Sequence, residues 1–156
     1  MSKPKLRIGL IGTGFMGKAH VFGFASAPRV FELPYDLDLR TVADITPEAA
    51  ASAARTLGFT NATANWRDII NDPEIDVVDI TAPNALHKEM ALAAIAAGKH
   101  VYCEKPLAPL SGDALEMTEA AEAKGIKTQV GFNYLCNPML IFAREMIAAG
   151  ELGEIR

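Results

Sequence analysis

Cysteine is scarce: Cys103 and Cys136 are the only two in 156 residues. Their spacing fits neither a redox pair nor a zinc site, and two thiols cannot build a disulfide framework. The expectation is two free thiols in a reducing cytoplasm, and no metal centre. An excess of positive charge is also missing. Fifteen Lys and Arg stand against nineteen Asp and Glu, giving a net charge of -4 and a pI near 5.4. No basic run stands out, so neither nucleic acid nor an anionic membrane surface is expected as a partner. Long apolar runs are absent too. The opening "MSKPKLRIGLIG" reaches glycine after a few apolar residues, which suits neither a secretory leader nor a membrane span. Low-complexity linkers and internal repeats are not seen either.

What remains is a chain that is half hydrophobic and 22% charged, long enough for one full core. Apolar runs at 5–11, 39–43, 76–80, 100–103 and 127–131 are short and lack alternation, as buried strands do. Helical segments fall between them. One is expected over 15–26, with Pro28 after its end. Others follow Thr46-Pro47 up to Gly58, cover 66–71 and 85–97, run from a Ser111 cap to Gly125, and start at Asn137-Pro138. Strands alternating with helices predict an α/β fold, a doubly wound parallel sheet of Rossmann type. Ligands of such sheets sit outside the carboxyl ends of the strands, so each strand end is a place to look for chemistry.

The first strand end carries Gly12-Thr13-Gly14-Phe15-Met16-Gly17, a GxGxxG set between a strand and a helix. Gly12 suits a tight turn, Gly14 leaves room for a pyrophosphate, and Gly17 lets the helix pack on the strand. The second ends at Asp44, where a carboxylate accepts bonds from ribose hydroxyls and repels a 2′-phosphate. That favours NAD over NADP. Asp44 is also near a helix start, but Thr46 fills the cap position before Pro47. The third leads into "TAPNALH", where Asn84 is either a helix cap or a site residue. His87 is either close to a ligand hydroxyl or plain surface. The fourth runs "VYCEKP", with Glu104 and Lys105 before Pro106. Proline pushes the lysine backbone away from helix, and the Lys105–Pro106 bond is open to the cis form.

Several of these pieces, in this order, resemble the glucose–fructose oxidoreductase / inositol dehydrogenase / rhizopine catabolism family. They are "IGLIGTGFMGKAH", "VADITPE", "DPEIDVVDITAPNALHKEMALAAIAAGKHVYCEKPLA" and "VGFNYLCNP". The resemblance implies a Rossmann domain over 1–132. Residues 133–156 are then a connector and helix leading to a second α/β domain that this chain lacks. It implies a nicotinamide cofactor and a sugar or polyol substrate, with homo-oligomers in full-length members. The pyrophosphate loop falls on Gly12, Thr13, Gly14, Phe15, Met16 and Gly17, and the ribose carboxylate on Asp44. The wall of the dinucleotide site falls on Thr81, Pro83, Asn84 and His87. Lys105 takes the catalytic position, with Glu104 beside the nicotinamide ribose. One departure stands out: Leu135 occupies the place of an arginine often found after the tyrosine of "NY". Two other readings stay open at this stage, a glycosidase that uses NAD without net redox and a dinucleotide-sensing module. The helix from Pro138 carries Met139, Leu140, Ile141, Phe142, Met146 and Ile147, more apolar surface than one face needs, so an exposed patch is expected there.

Overall fold

The computed structural model describes residues 3–154. Its six strands are β1 (Lys5–Ile11), β2 (Asp36–Ala43), β3 (Asn61–Thr63), β4 (Val77–Ile80), β5 (His100–Cys103) and β6 (Thr128–Val130). They form one sheet in the order β3-β2-β1-β4-β5-β6, and every neighbouring pair is parallel. This is the doubly wound arrangement, with its switch point between β1 and β4. Adjacent residues of a strand face opposite sides of the sheet. Leu10 accordingly joins a cluster with Val21, Val42 and Phe59, while its neighbour Ile11 joins a larger one with Ile69, Val78, Ile80, Met90 and Cys103. Both faces are therefore covered, which is why the strands carry apolar runs without alternation.

The α-helices of the described residues are α1 (Phe15–Val30), α2 (Pro47–Leu57), α3 (Trp66–Asn71), α4 (His87–Ala96), α5 (Ser111–Lys124) and α6 (Pro138–Ala148); the first five each bury residues, and α6 buries none. α2 is capped as its sequence suggests: the Thr46 hydroxyl accepts from the Ala49 N–H at 3.1 Å, Pro47 opens the first turn, and Gly58 closes it at φ +85°. Asn137 caps α6 by accepting from the Met139 N–H.

Three expectations are corrected. α1 does not end before Pro28 but runs through it to Val30. Proline lacks only one donor, and this one sits close enough to the helix end for the last turn to survive. Ser111 is the first residue of α5 rather than its cap, which is Leu110. Asn84 makes no capping bond either. It opens a short 3-10 turn, Asn84–Leu86, that leads into α4, and its side chain is exposed. β3 is an addition: Asn-Ala-Thr has no apolar run to announce it, and its pairing with β2 creates it. α6 leaves Met139, Leu140, Phe142 and Ile147 exposed, as expected.

Candidate functional site

The carboxyl ends of β1, β2 and β4 meet at an open cleft of about 570 Å³. The glycine loop forms its floor. Gly12 has φ +97°, and a Cβ there would lie 2.9 Å from the Thr81 carbonyl oxygen, so the position admits glycine alone. At Gly17 a Cβ would come within 2.3 Å of the Gly12 carbonyl oxygen, so the first turn of α1 lies directly on the loop. At Gly14 a Cβ would meet nothing within 4 Å. This residue faces the open cleft at the start of α1, where no side chain caps the helix and no acidic residue occupies the first turn. The N-terminal N–H groups are left for an anion. Phe15, 84% exposed, and Met16 line the same turn.

Three strand ends are tied together around this loop. The Gly12 N–H donates to Ala43 O and the Thr81 N–H to Ile11 O, both at 2.9 Å. The Thr81 hydroxyl donates to Gly12 O at 2.7 Å. Asp44 lies across the loop from Thr13. Its Oδ2 accepts from the Thr13 N–H at 3.2 Å and from the Thr13 hydroxyl, and its Oδ1 accepts from the Ile45 N–H at 2.7 Å. Asp44 is thus free of the helix cap, and it is half-buried at the rim of the cleft. Gly12, Thr13, Gly14, Phe15, Met16, Asp44, Thr81 and Pro83 all line this one cleft.

The remaining lining was not read from the sequence. It includes Ile45, Ala64, Trp66, Leu86 and Met90. Ala64 and Trp66 follow β3, so missing that strand also hid what lies at its end. Ile45 did carry a signal: it is an isoleucine beside the acidic strand end, 89% exposed and of no use to the core.

The β5 end departs most from expectation. The Lys105–Pro106 peptide bond is cis. Lys105 is exposed, and its amine makes no ion pair with any described residue. Glu104 does not line the cleft. It is 5% exposed, its Oε1 lies 3.1 Å from His20 Nε2, and its Oε2 accepts from the Lys105 N–H at 3.0 Å. The Glu104 carboxylate is turned inward, between His20 and the Lys105 N–H. His87 is likewise not at the cleft surface. It is fully buried, with Nδ1 3.0 Å from Pro106 O and Nε2 2.9 Å from Ala82 O. Its ring joins the loop after β4 to the loop after β5. It supports the wall from behind, while Pro83 lines it and the exposed Asn84 lies outside the lining.

Fold and site together define a dinucleotide-binding domain of the Rossmann type: strand order, glycine turn and acidic second strand end all agree. Sequence comparison makes this specific. A model of the oxidoreductase family with an NAD-binding Rossmann fold matches residues 6–132, and the chain belongs to that family. Levoglucosan dehydrogenase of Pseudarthrobacter phenanthrenivorans is 48% identical over 151 residues, which are 96% of this chain and 39% of the relative. Inositol 2-dehydrogenase/D-chiro-inositol 3-dehydrogenase of Lactiplantibacillus plantarum is 33% identical over 95% of this chain and 41% of its own. Among solved structures, levoglucosan dehydrogenase in complex with NADH and levoglucosan superimposes with a TM-score of 0.91 at 47% identity, covering 97% of this chain and 41% of that one. The chain thus spans about two fifths of the length of the curated relatives it matches. Among the described residues, no helix is long and apolar enough to cross a membrane, and no cluster of His, Cys, Asp and Glu is suited to a metal.

Proposed function

We propose that this chain is the cofactor-holding part of an NAD-dependent dehydrogenase acting on a hydroxyl group of a sugar or polyol. The observation that carries the reading is Asp44: a carboxylate at the β2 end, joined to Thr13 of the glycine loop, on the rim of a cleft floored by an uncapped helix start. The residues fit the cofactor. Gly12 to Met16 offer N–H groups and open surface to the pyrophosphate. Asp44 has the place and charge to take ribose hydroxyls, and it opposes the extra phosphate of NADP. Thr81 and Pro83 wall the cleft, and Asn84 follows them at its edge, exposed and within reach of a bound cofactor. Gly17 and His87 act by holding backbone in place.

The nicotinamide, when bound, supplies the hydride acceptor. Lys105 is the residue of this chain best suited to the substrate side. It stands at the ligand edge of the sheet with an amine that pairs with no described residue, able to donate a hydrogen bond to the substrate oxygen and to stabilise alkoxide charge as the C–H bond weakens. Sugar and polyol substrates are supported by the names of the relatives, levoglucosan and inositol dehydrogenases. We further read residues 133–156 as a connector, the exposed apolar side of α6 as surface that either meets a second domain or drives self-association, and the cytoplasm as the compartment.

Calorimetry with NADH and NADPH tests the cofactor assignment. NADH should bind the tighter of the two, and tighter NADPH binding would refute the role of Asp44. In the whole protein, Lys105→Ala should lower kcat at least about a hundredfold, in the range expected for loss of an acid–base group, and leave NADH affinity nearly unchanged. Unchanged turnover with levoglucosan or myo-inositol would remove Lys105 from the chemistry.

A further inference from the structure

Three titratable side chains meet in the interior behind the Lys105 turn. Asp79 comes from the middle of β4 and is fully buried; Glu104 follows β5 and His20 comes from α1. His20 Nδ1 lies 2.9 and 3.0 Å from the two oxygens of Asp79, and its Nε2 lies 3.1 Å from Glu104 Oε1. Tyr102, which pairs in register with Asp79, stacks on the imidazole at 4.7 Å with the planes 8° apart. The second oxygen of Glu104 holds the Lys105 N–H. Gly131 gives this carboxylate its room, since a Cβ there would lie 2.3 Å from Glu104 Oε1.

Counting protons defines the state of the cluster. Each of the two contacts of the imidazole, with Asp79 and with Glu104, needs a hydrogen between its heavy atoms. A neutral imidazole between two carboxylates supplies one. The arrangement therefore holds one proton more, either as an imidazolium or on a carboxyl group, and the trio carries a net charge of -1. Burial raises Asp79 first of all, and the Glu104 charge adds to this, against the bond and charge of His20. Burial alone pulls His20 down, but the bonds and charges of Asp79 and then Glu104 outweigh it and hold the imidazole above its ordinary 6.5. Among the groups around the trio, Tyr102 and Cys103 on β5 are themselves pushed up, mainly by burial, and the Cys136 charge acts on Tyr102. The Phe24 ring, edge-on to His20, brings no charge.

We infer that His20, backed by Asp79, is a positioning residue for Lys105: it fixes the Glu104 carboxylate, which fixes the Lys105 backbone at the ligand edge. His20 lies one turn along α1 from Gly17, so the same helix that begins at the cofactor cleft also braces the lysine turn. Helix and turn are thereby joined through a cluster that must keep its extra proton. The inference rests on the reading of Lys105 given above, but its test reads no chemistry, so the two can fail separately.

The test is hydrogen exchange at the Lys105 amide, followed by NMR on this chain. A hydrogen bond to a charged acceptor such as Glu104 is stronger than one between neutral groups. Its loss should speed Lys105 exchange, relative to the unprotected rate, about tenfold or more in His20→Asn, with Val78 and Val101 in neighbouring strands unchanged. In the parent chain, protection at Lys105 should fall as pH rises above the ordinary histidine range and the extra proton leaves. Glu104→Gln is the second variant. Its amide donates to His20 Nε2 and its oxygen still accepts from Lys105, with no extra proton required. Protection should persist there and lose its pH dependence. Unaltered Lys105 exchange in a folded His20→Asn chain overturns the inference. If that variant does not fold, a Glu104→Gln chain that keeps the parental pH profile overturns it equally.

Discussion

Gly17→Ala puts the packing of the cofactor loop to a direct test. Alanine is favoured over glycine in a helix interior by about 1 kcal/mol, so propensity alone calls for a more stable protein. The structure demands the reverse. The new Cβ would lie 2.3 Å from the Gly12 carbonyl oxygen and 3.0 Å from the Thr81 hydroxyl, and the nearer atom is backbone, which cannot swing aside. Either the first turn of α1 backs away or the Gly12 turn does, and each movement opens the bond from Thr81 to Gly12 O. Overpacking of this kind costs about 1–3 kcal/mol, so the net change should be a loss of about 1 kcal/mol and a Tm lower by about 2–4 °C. The effect on ligand binding should be larger, because the displaced atoms are those that face the pyrophosphate. A shift of about 1 Å in positioning groups can cost on the order of a hundredfold, and NADH affinity should fall at least about tenfold. Gly23→Ala is the control. It lies in the same helix, and its Cβ would meet nothing within 4 Å. That substitution should raise Tm by about 2–4 °C and leave NADH binding alone. Thermal melts and calorimetry on the two variants decide the matter. A Gly17→Ala chain as stable as the parent, with parental affinity, would refute the account of the loop.

Two further outcomes follow from the titratable groups. The His20 cluster binds its proton more tightly folded than unfolded, so its contribution to stability is complete below about 6.5, the ordinary histidine value, and drains away as pH rises through the raised folded value. Denaturant midpoints should therefore decline with rising pH in the parent and decline less in His20→Asn; parallel curves would exclude the cluster as the cause. The cysteines should also differ. Cys103 is 1% exposed, and burial, with the charges of Asp79 and Glu104, pushes its thiol up to about 12, while Cys136 is exposed. A disulfide reagent should label Cys136 alone in the folded chain, and rapid reaction of both thiols would contradict the packing around β5.

Much of this site is local, and local features are legible in sequence. The GxGxxG set lies within six residues of one turn, and Asp44 ends a strand whose following cap, Thr46, is plain to see. Both need only the knowledge of where a strand stops. Glu104 and His87 show the limit. Nothing in "CEKP" says that the glutamate turns inward, because its partner His20 is 84 positions away in the chain. A weak signal for His20 did exist: Gly17, His20 and Val21 are the buried residues of α1 and sit at the spacing of one helix face. A histidine on that face asks for a buried partner, and the strand fold supplies Asp79. His87 falls in the first turn of its helix in both readings, yet only the packed loops show two carbonyl oxygens facing its ring. β3 exists through its pairing with β2 rather than through its own composition, so no reading of Asn-Ala-Thr finds it.

The close approach of the Glu104 carboxylate to Gly131 has a consequence over generations of sequence change. Any side chain at 131 displaces the Glu104 carboxylate. The two positions are therefore bound to drift as a pair. A larger residue at 131 becomes tolerable only after 104 has shortened, and by then the Lys105 N–H has lost its acceptor. The first step in either order is the harmful one, so a glycine far from the phosphate loop, outside any glycine motif, is held in place by a carboxylate that lies 27 residues earlier in the chain.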